Sequence, residues 1–398
     1  MNDVADVIAL DGHTLRVQGH RDLLERGPGV RPVRIPECHW WQVSPGWLGV
    51  THLYSEGSGV RLAGTTSATN LRLRVRCTQR FLPGGIGSHA SSFVLTVDGE
   101  RFAARPTPVT AHLIDPPLSD GLDLRTLAEE ATVEFTGLPA GQKLLEVWLP
   151  QTMVVDLLGV EADAPVVAAP EPTQPRWTHY GSSISHCAEA DDPLAVWPVV
   201  TAREVGLDVT NLGLRGACML EPFLAETIAE TPADVISLKV GINLVGGRTM
   251  SDRTFVPALH GLLDRIRASQ PDVPVVLVSA ISWPGSENLP GPSTPVTGAD
   301  GVVRQRAGGE PVDVAGGALT LARSRDLVQH VAMVRASRGE NIHYLDGRAL
   351  YGPQDQEGSP LPDGLHPSSA SYVEMGHRFA RLVFGDGGLV PVQSLTRG

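Results

Sequence analysis

The stretch RWTHYGSSIS, residues 176–185, decides how the second half of the chain is interpreted. Residues 176–181 form a short run typical of a strand, and Gly181 permits a sharp turn at its end. Ser183 would then lie exposed where the strand ends and a helix begins. A serine in that place is a candidate nucleophile if a base can reach it. Ser-rich turns are also common structural features, so the turn alone does not establish chemistry.

Downstream of this turn, strand-like and helix-like segments alternate. Alternation of this kind predicts a parallel sheet with helices on both faces and reactive groups at the carboxyl ends of its strands. Ser251 or Asp252 is expected to cap the third helix, and Pro367 suits the first turn of the last one. The strands are expected at 176–181, 207–213, 233–241, 273–281 and 342–346, and the helices near 193–205, 219–230, 253–269, 320–338 and 368–383.

Upstream, residues 1–161 contain short segments in which apolar and polar residues alternate, with turn residues between them. In NLRLRVR (70–76), Leu71, Leu73 and Val75 would face inward while the arginines face solvent. Val-Asp-Gly-Glu at 97–100 carries the Asp-Gly signal of a tight hairpin turn. Several such strands without intervening helices predict an all-β sandwich or jelly roll.

A Pro- and Ala-rich stretch, ADAPVVAAPEPTQP, lies at residues 162–175, between the strand-rich part and the part in which strands and helices alternate. Its composition disfavours both a helix and a central strand, so it is interpreted as a linker. The predicted organisation is therefore a β domain over 1–161, the linker over 162–175 and an α/β domain over 176–398.

Composition and charge limit the partners and the compartment. The formal net charge of −12 over 398 residues argues against nucleic acid and against an anionic membrane surface. The N-terminus does not resemble a signal peptide, and no apolar run reaches the length of a transmembrane helix. The four cysteines fit no metal-ligand pattern and are interpreted as reduced, mostly buried thiols in a cytoplasmic protein. No cofactor or metal is expected, and a homo-oligomer remains open.

Three further segments place chemistry at the same predicted sheet edge as Ser183. The second strand leads to Gly216 and the third to Asn243, so a backbone N–H and a side-chain amide could both point at a developing oxyanion. Asp363-Gly-Leu-His366 precedes the last helix, and residues three apart on a turn can meet. Asp363 could then hold the His366 ring in one tautomer while its other nitrogen accepts the serine proton.

Each of these signals has an ordinary structural explanation when it stands alone. Gly216 could be a turn glycine, Asn243 a loop-capping amide, and Asp363 and His366 turn or cap residues. Their coincidence, each in a loop after a predicted strand, favours a catalytic interpretation.

The order of these residues resembles the SGNH/GDSL hydrolase family over about residues 176–383. The family's four blocks match Ser183, Gly216, Asn243, and Asp363 with His366. The resemblance implies a three-layer α/β/α fold similar to flavodoxin, metal-free catalysis and an acyl-enzyme, with an oxyanion hole formed by Ser183, Gly216 and Asn243. A β-rich region before such a domain looks like bacterial members that have a jelly-roll companion and act on acetylated sugars.

Two positions depart from the family pattern, and one interval is long. Ser182 replaces the acid of the first block, as in a GSS-type subgroup, and Leu244 replaces the acid after Asn243, which removes a support expected for that loop. Residues 283–317 are rich in Gly and Pro and are expected to be a lid, a binding loop or disordered.

Other polar residues near the site are interpreted as structural. Cys187 and Cys218 could lie near one another beneath the site, but they are interpreted as buried, inert thiols. His179 and His186 are interpreted as structural or as shaping the substrate site. Arg304 and Arg306 could meet an anionic substrate, although solvated loop charges are the simpler explanation.

The sequence thus predicts a serine esterase that hydrolyses a small acyl ester, an acetyl group on a carbohydrate or other polyhydroxylated metabolite. Acyl transfer with the same triad, and a carbohydrate-binding protein with a silent hydrolase domain, remain alternatives. An α/β-hydrolase fold shares the Ser–Asp–His order but requires its nucleophile elbow after several strands.

Overall fold

The computed structural model describes residues 6–44, 49–81, 89, 91–114, 123–126, 130–299 and 301–397. The chain divides into two compact units, which are described separately. Unit 1 comprises Met1–Thr173 and Asp191–Leu194, and unit 2 comprises Gln174–Ala190 and Ala195–Gly398.

The described residues of unit 1 lie mainly in strands, with a 3₁₀ helix at Glu37–Gln42 and α1 at Val50–Tyr54. The strands are β1 (Val7–Leu10), β2 (His13–Gln18), β3 (Asp22–Arg26), β4 (Gly29–Val33), β5 (Arg61–Thr66), β6 (Asn70–Phe81), β7 (Ser92–Val97), β8 (Glu100–Pro106), β9 (Ala111–Ile114), β10 (Asp123–Thr126), β11 (Ala131–Thr136), β12 (Lys143–Trp148), β13 (Met153–Ala162) and β14 (Val166–Ala168).

These strands form two sheets that share one apolar core. The first has the order β1-β2-β5-β12-β7-β8, with β14 also paired to β5, and the second has the order β10-β9-β6-β13-β4-β3, with β11 also paired to β6. Buried residues of both sheets, such as Leu62 and Leu145 from the first and Leu73 and Val155 from the second, belong to one cluster. Each sheet therefore buries one face against that cluster, as alternating strands require.

The predicted alternation in β6 is confirmed. Leu71, Leu73 and Val75 are no more than 1% exposed, and the arginines between them reach solvent. The predicted hairpin is also confirmed, since β7 ends at Val97, β8 begins at Glu100, and the two turn residues both have positive φ, as a tight primed turn needs.

The stretch interpreted as a linker is only partly free of regular structure. Val166–Ala168 form β14, which pairs with β5 through Thr66, Thr65 and Gly64. The strand is three residues long and does not pass through the middle of the sheet, so the prolines on either side can be accommodated. The boundaries 1–161, 162–175 and 176–398 remain predictions.

Unit 2 alternates strands and helices. A 3₁₀ turn at Pro193–Ala195 begins in the Asp191–Leu194 segment of unit 1 and precedes α3. Its elements are β15 (Arg176–Gly181), α2 (Ser183–His186), α3 (Trp197–Val205), β16 (Asp208–Gly213), α4 (Pro222–Glu230), β17 (Val235–Lys239), α5 (Ile242–Gly246), α6 (Asp252–Ser269), β18 (Val275–Val278), β19 (Ser293–Thr297), β20 (Val303–Ala307), α7 (Pro311–Ala315), α8 (Leu321–Ser337), β21 (Ile342–Leu345), a 3₁₀ turn (Gly347–Ala349), α9 (Asp355–Gly358), α10 (Ser369–Phe379) with a π-helical extension (Ala380–Phe384), and a 3₁₀ turn (Val392–Ser394).

The central sheet of unit 2 is parallel, in the order β16-β15-β17-β18-β21. Helix α3 packs on α10, while α4 packs on α6 and α6 on α8. Right-handed crossovers from this strand order put these two helix groups on opposite faces. The predicted α/β class with a parallel sheet is therefore confirmed. All five predicted strands and five predicted helices are present, with ends that differ by a few residues.

Local signals at the helix ends are partly confirmed. Ser251 is the N-cap of α6, in a reciprocal capping box with Thr254. Pro367 does not lie in the first turn of the last helix, because Ser368 is the N-cap of α10 and accepts from the Ser371 N–H. The serine hydroxyl can satisfy a free N–H of the first turn, which proline cannot do, so the helix begins one residue later than expected.

A buried aromatic cluster supports the first strand of the sheet. Trp177 stacks on Phe379 with ring centroids 5.3 Å apart, and Trp197 and Phe384 pack against the Trp177 ring. This cluster fixes β15, and so the turn that follows it, against α3 and α10. Within the described residues, no helix has the length and apolarity that crossing a membrane would require.

Candidate active site

The turn after β15 is a tight strand-to-helix connection. A Cβ on Gly181 would overlap the Ser185 side chain, so a larger residue there would force that side chain to move. Ser182 is the N-cap of α2 and its hydroxyl accepts from the Ile184 N–H. A capping hydroxyl at this position accounts for a serine where the family pattern has an acid. Ser183 is therefore the first residue of a short helix directly beyond the strand end.

A buried histidine supports this turn from below. His179 Nε2 lies 2.8 Å from Ser185 Oγ, and its Nδ1 lies 2.7 Å from Ser237 Oγ. Burial, and then the positive charge of Lys239, lower the pKa of His179 well below its usual value. His179 is thus a neutral bridge between two hydroxyls.

The structure brings Ser183, His366 and Asp363 into one hydrogen-bonded chain. His366 Nε2 lies 2.9 Å from Ser183 Oγ, and His366 Nδ1 lies 2.6 Å from Asp363 Oδ2. Asp363 Oδ1 also accepts from the backbone N–H groups of Leu365 and His366. These backbone bonds fix the carboxylate before it meets the ring, so the ring is held in one orientation.

The charges around these hydrogen-bonded side chains shift the pKa values of both His366 and Asp363. Burial by itself lowers the pKa of His366, but the charge of Glu189 and the hydrogen bond and charge of Asp363 outweigh it and raise that pKa to about 9, against an opposing effect of Arg215. Burial by itself raises the pKa of Asp363, but the contacts with His366 and the backbone lower it to about 2. Asp363 is therefore ionised over the whole working range, while His366 titrates in mild alkali.

The raised pKa of His366 predicts the pH dependence of the reaction. If His366 is the base for Ser183, only its neutral ring can accept the serine proton, so kcat/KM for p-nitrophenyl acetate should rise about tenfold per pH unit below the pKa. The rise should level off near pH 9. Initial rates from pH 6 to pH 10, corrected for spontaneous hydrolysis, measure this pH profile. Circular dichroism over the same range checks that the protein stays folded. A profile already level at pH 7 would contradict the assignment.

Gly216 lies in the loop after β16, and Asn243 lies in the first turn of α5, directly beyond β17. Gly181 is in register with Gly213 on β16 and Lys239 on β17, so the loops that leave these three strands are neighbours. Gly216 has φ of +67°, is exposed, and its Cβ position meets no atom within 4 Å. The space beside its Cα is therefore open.

Asn243 lies in the first turn of α5, and a hydrogen bond fixes the orientation of its side-chain amide. Its Oδ1 accepts from the Cys218 N–H at 3.1 Å, which directs the side-chain NH₂ group away from that bond. Leu244 is fully buried. The end of α5 is closed by backbone bonds, from Gly247 N–H to the Asn243 carbonyl and from Thr249 N–H to the Leu244 carbonyl. An apolar side chain at Leu244 is therefore compatible with an ordered loop.

The Gly- and Pro-rich interval 283–317 is more ordered than expected. Strands β19 and β20 form an antiparallel hairpin, and α7 follows it. The Gln305 N–H donates to the Asp363 carbonyl at 2.7 Å, so the hairpin supports the loop that carries the aspartate. Arg304 and Arg306 lie on β20, and Arg306 is exposed. The disordered alternative is wrong for the described part of this interval, which lacks only residue 300.

The two cysteines near the site are buried and free. Burial raises the pKa of Cys187 well above its usual value and that of Cys218 to about 12, so neither is a thiolate at neutral pH. Of the four cysteines, Cys38 alone is exposed, so three of the four follow the expectation of buried thiols. His186 is also buried, with Nδ1 3.3 Å from the Gly213 carbonyl.

Sequence reasoning missed Glu189 and Tyr372. Glu189 Oε1 lies 3.4 Å from His366 Nδ1, and Tyr372 Oη donates to Glu189 Oε2 at 2.9 Å. Glu189 lies in a loop beyond α2 and belongs to no motif, so no local signal marks it. Within the described parts of the chain, Glu189, Asp363 and His366 form the one group of three or more His, Cys, Asp or Glu residues whose potential metal-ligating atoms all lie within 4.8 Å of each other. Two of these residues already hold each other, and we assign no metal to the group.

The parallel α/β sheet, with a Ser–His–Asp chain at its carboxyl edge, defines the class of serine hydrolases that includes the SGNH type. Residues 179–373 match the model of the GDSL-like Lipase/Acylhydrolase family, so this part of the chain is a GDSL-like lipase/acylhydrolase domain. By this domain the chain is an ester hydrolase of the SGNH type.

Similar solved structures cover nearly the whole chain. The salicylyl-acyltransferase SsfX3 from a tetracycline biosynthetic pathway is 28% identical with a TM-score of 0.74, over 92% of this chain and 93% of that one. A Bacteroides ovatus protein described as a GDSL-like lipase is 18% identical with a TM-score of 0.63, over 92% and 93%. A family two carbohydrate esterase from Clostridium thermocellum, in complex with cellohexaose, is 16% identical with a TM-score of 0.54, over 82% and 91%. No curated protein sequence matches the chain significantly.

Proposed function

We propose that this enzyme hydrolyses a small acyl ester, an acetyl group on a carbohydrate or similar polyol, through an acyl-enzyme on Ser183. The observation that carries the proposal is the pair of contacts made by one ring, 2.9 Å from His366 Nε2 to Ser183 Oγ and 2.6 Å from His366 Nδ1 to Asp363 Oδ2. This geometry suits proton transfer from the serine to a histidine held in one tautomer.

The proposed reaction has two stages. Ser183 Oγ attacks the ester carbonyl while its proton passes to His366 Nε2, and Asp363 stabilises the cationic ring. The N–H groups of Ser183 and Gly216 and the NH₂ group of Asn243 hold the oxyanion. The protonated His366 then gives its proton to the leaving alcohol, and the same steps with water release the acid.

The identity of the alcohol rests on the shared fold. The fold is similar to that of the family two carbohydrate esterase from Clostridium thermocellum, whose structure is a complex with cellohexaose, and this likeness supports a carbohydrate as the alcohol. We further propose that the two sheets of unit 1 form a jelly-roll-like sandwich of the kind that accompanies such domains.

Acyl transfer to an alcohol is the second candidate, and one observation favours it. The structure with 28% identity and a TM-score of 0.74 is that of an acyltransferase, SsfX3. The same acyl-enzyme would serve both reactions, and the outcome depends on whether water or a bound alcohol attacks it.

A substrate screen separates these candidates. p-Nitrophenyl esters of increasing chain length and acetylated mono- and oligosaccharides are incubated with and without an excess of a polyol acceptor, and products are analysed by mass spectrometry. The proposal expects free acetate as the main product and a preference for the shortest acyl chains. Transfer products that dominate with the acceptor present would establish the second candidate. Absence of turnover on every ester would overturn both.

A further inference from the structure

A second carboxylate faces the ring that contacts Ser183. Glu189 Oε1 lies 3.4 Å from His366 Nδ1, whereas Asp363 Oδ2 lies 2.6 Å from the same atom. A neutral imidazole whose Nε2 accepts from a serine carries its one hydrogen on Nδ1, and the shorter contact gives that hydrogen to Asp363. Glu189 therefore acts on the ring mainly through its negative charge.

Glu189 is held in this position by a buried phenol. Tyr372 Oη donates to Glu189 Oε2 at 2.9 Å, and the Tyr372 side chain is fully buried in α10. Burial, and then the charge of Glu189, raise the pKa of Tyr372 well above its usual value, so the phenol remains a donor at any working pH. The helix that follows His366 thus also fixes the second carboxylate beside it.

The charged groups around His366 come from three separate segments. Asp363 lies on the histidine's own loop, Glu189 beyond α2, and Arg215 in the loop after β16. The two carboxylates favour the cationic ring and the guanidinium opposes it. The side chains of His366 and Glu189 are only 15% and 20% exposed, so solvent screens the attraction between them less than at the surface.

We infer that Glu189 is a positioning residue whose fixed negative charge, acting with Asp363 on His366, sets the pH range in which the triad can begin the reaction. This inference rests on the proposed function, because it assigns to His366 the role of base for Ser183.

Loss of the Glu189 charge should have two opposite effects on the rate. With the pKa of His366 at about 9, only about one ring in a hundred is neutral at pH 7. Removal of the Glu189 charge should enlarge that neutral fraction. The resulting ring is a weaker base, however, and its cationic form in the transition state loses one of its stabilising charges.

The test compares Glu189→Gln with the unchanged enzyme across pH. Glutamine keeps an acceptor for Tyr372 Oη but has no charge. The midpoint of the kcat/KM profile should fall by about one pH unit or more, the size expected for loss of one opposite charge within 4–6 Å. Activity at pH 7 should rise about threefold, while the high-pH limit should fall about threefold or more. The two profiles should therefore cross.

Two further variants distinguish an electrostatic role of Glu189 from a structural one. Tyr372→Phe keeps the charge but frees it to move, so the midpoint should fall by a smaller amount. Glu204→Gln is the matched control, since it removes a carboxylate that contacts another histidine, exposed His377, in the same unit. Its profile should coincide with that of the unchanged enzyme. A uniform loss of activity with an unmoved midpoint in both Glu189→Gln and Tyr372→Phe would mean a merely structural role and would overturn the inference.

A measurement without turnover separates this inference from the proposed function. The His366 ring titration is followed by NMR of ¹⁵N-histidine-labelled protein in the unchanged, Glu189→Gln and Glu204→Gln proteins. The His366 midpoint should fall only in Glu189→Gln, and an equal midpoint in all three would reject the role of Glu189. Retained turnover in a Ser183→Ala protein would instead reject the proposed function, whatever the titration gives.

Discussion

Replacement of Ser183 by alanine should lower the turnover of p-nitrophenyl acetate by at least about 10⁴-fold, because the residual rate then comes from binding and oxyanion stabilisation alone. The fold should be unchanged. Ser183 is the first residue of α2, whose start is capped by Ser182, and its hydroxyl contacts His366 at 2.9 Å. Alanine removes that hydroxyl and keeps the helix. Steady-state rates and thermal unfolding of the purified variant measure the two effects.

A suitable control is Ser337→Ala, which removes an exposed hydroxyl on α8 that donates to the Val334 carbonyl. This variant should keep full activity. Turnover by Ser183→Ala equal to that of the control would remove the basis of the mechanism.

Replacement of Asn243 by alanine should lower kcat by about 100- to 1,000-fold with a much smaller change in KM, since an oxyanion donor contributes mainly in the transition state. Asn243→Asp should lower kcat at least as much. It keeps the acceptor for the Cys218 N–H but replaces the NH₂ donors by a negative charge. The pair of variants therefore separates support of the loop from donation to the oxyanion.

Asn341→Ala serves as the control, because the exposed Asn341 amide donates to the Asp272 carbonyl in the same unit. It should leave both kinetic constants unchanged. If Asn243→Asp kept its full kcat while Asn243→Ala lost activity, the amide would act only as a support for the loop.

Much of unit 2 could be predicted because its strands and helices carry strong local patterns. The run before Gly181 ends at the turn that needs a glycine, and Ser251 begins α6 as its cap. The candidate site residues could be proposed for a related reason. Parallel strands deliver their carboxyl ends to one edge, so candidate groups after successive strands are expected to be neighbours.

Features that depend on contacts between distant segments could not be predicted. Glu189 meets His366 only after the chain has returned through the whole sheet, and no spacing marks a loop carboxylate for that role. Likewise, the bond from Gln305 to Asp363 joins a Gly- and Pro-rich hairpin to the loop of the aspartate, and composition alone indicated a loop there. The prediction that Pro367 lies in the first turn of the last helix was wrong because the neighbouring Ser368 is the better cap.

Covalent labelling of Ser183 tests the central claim most directly. The native protein is treated with a fluorophosphonate, and the site of modification is located by peptide mass spectrometry. We expect a single adduct, on Ser183, and a loss of labelling in His366→Ala. An intact protein that does not react, or that reacts at another serine, would contradict the account.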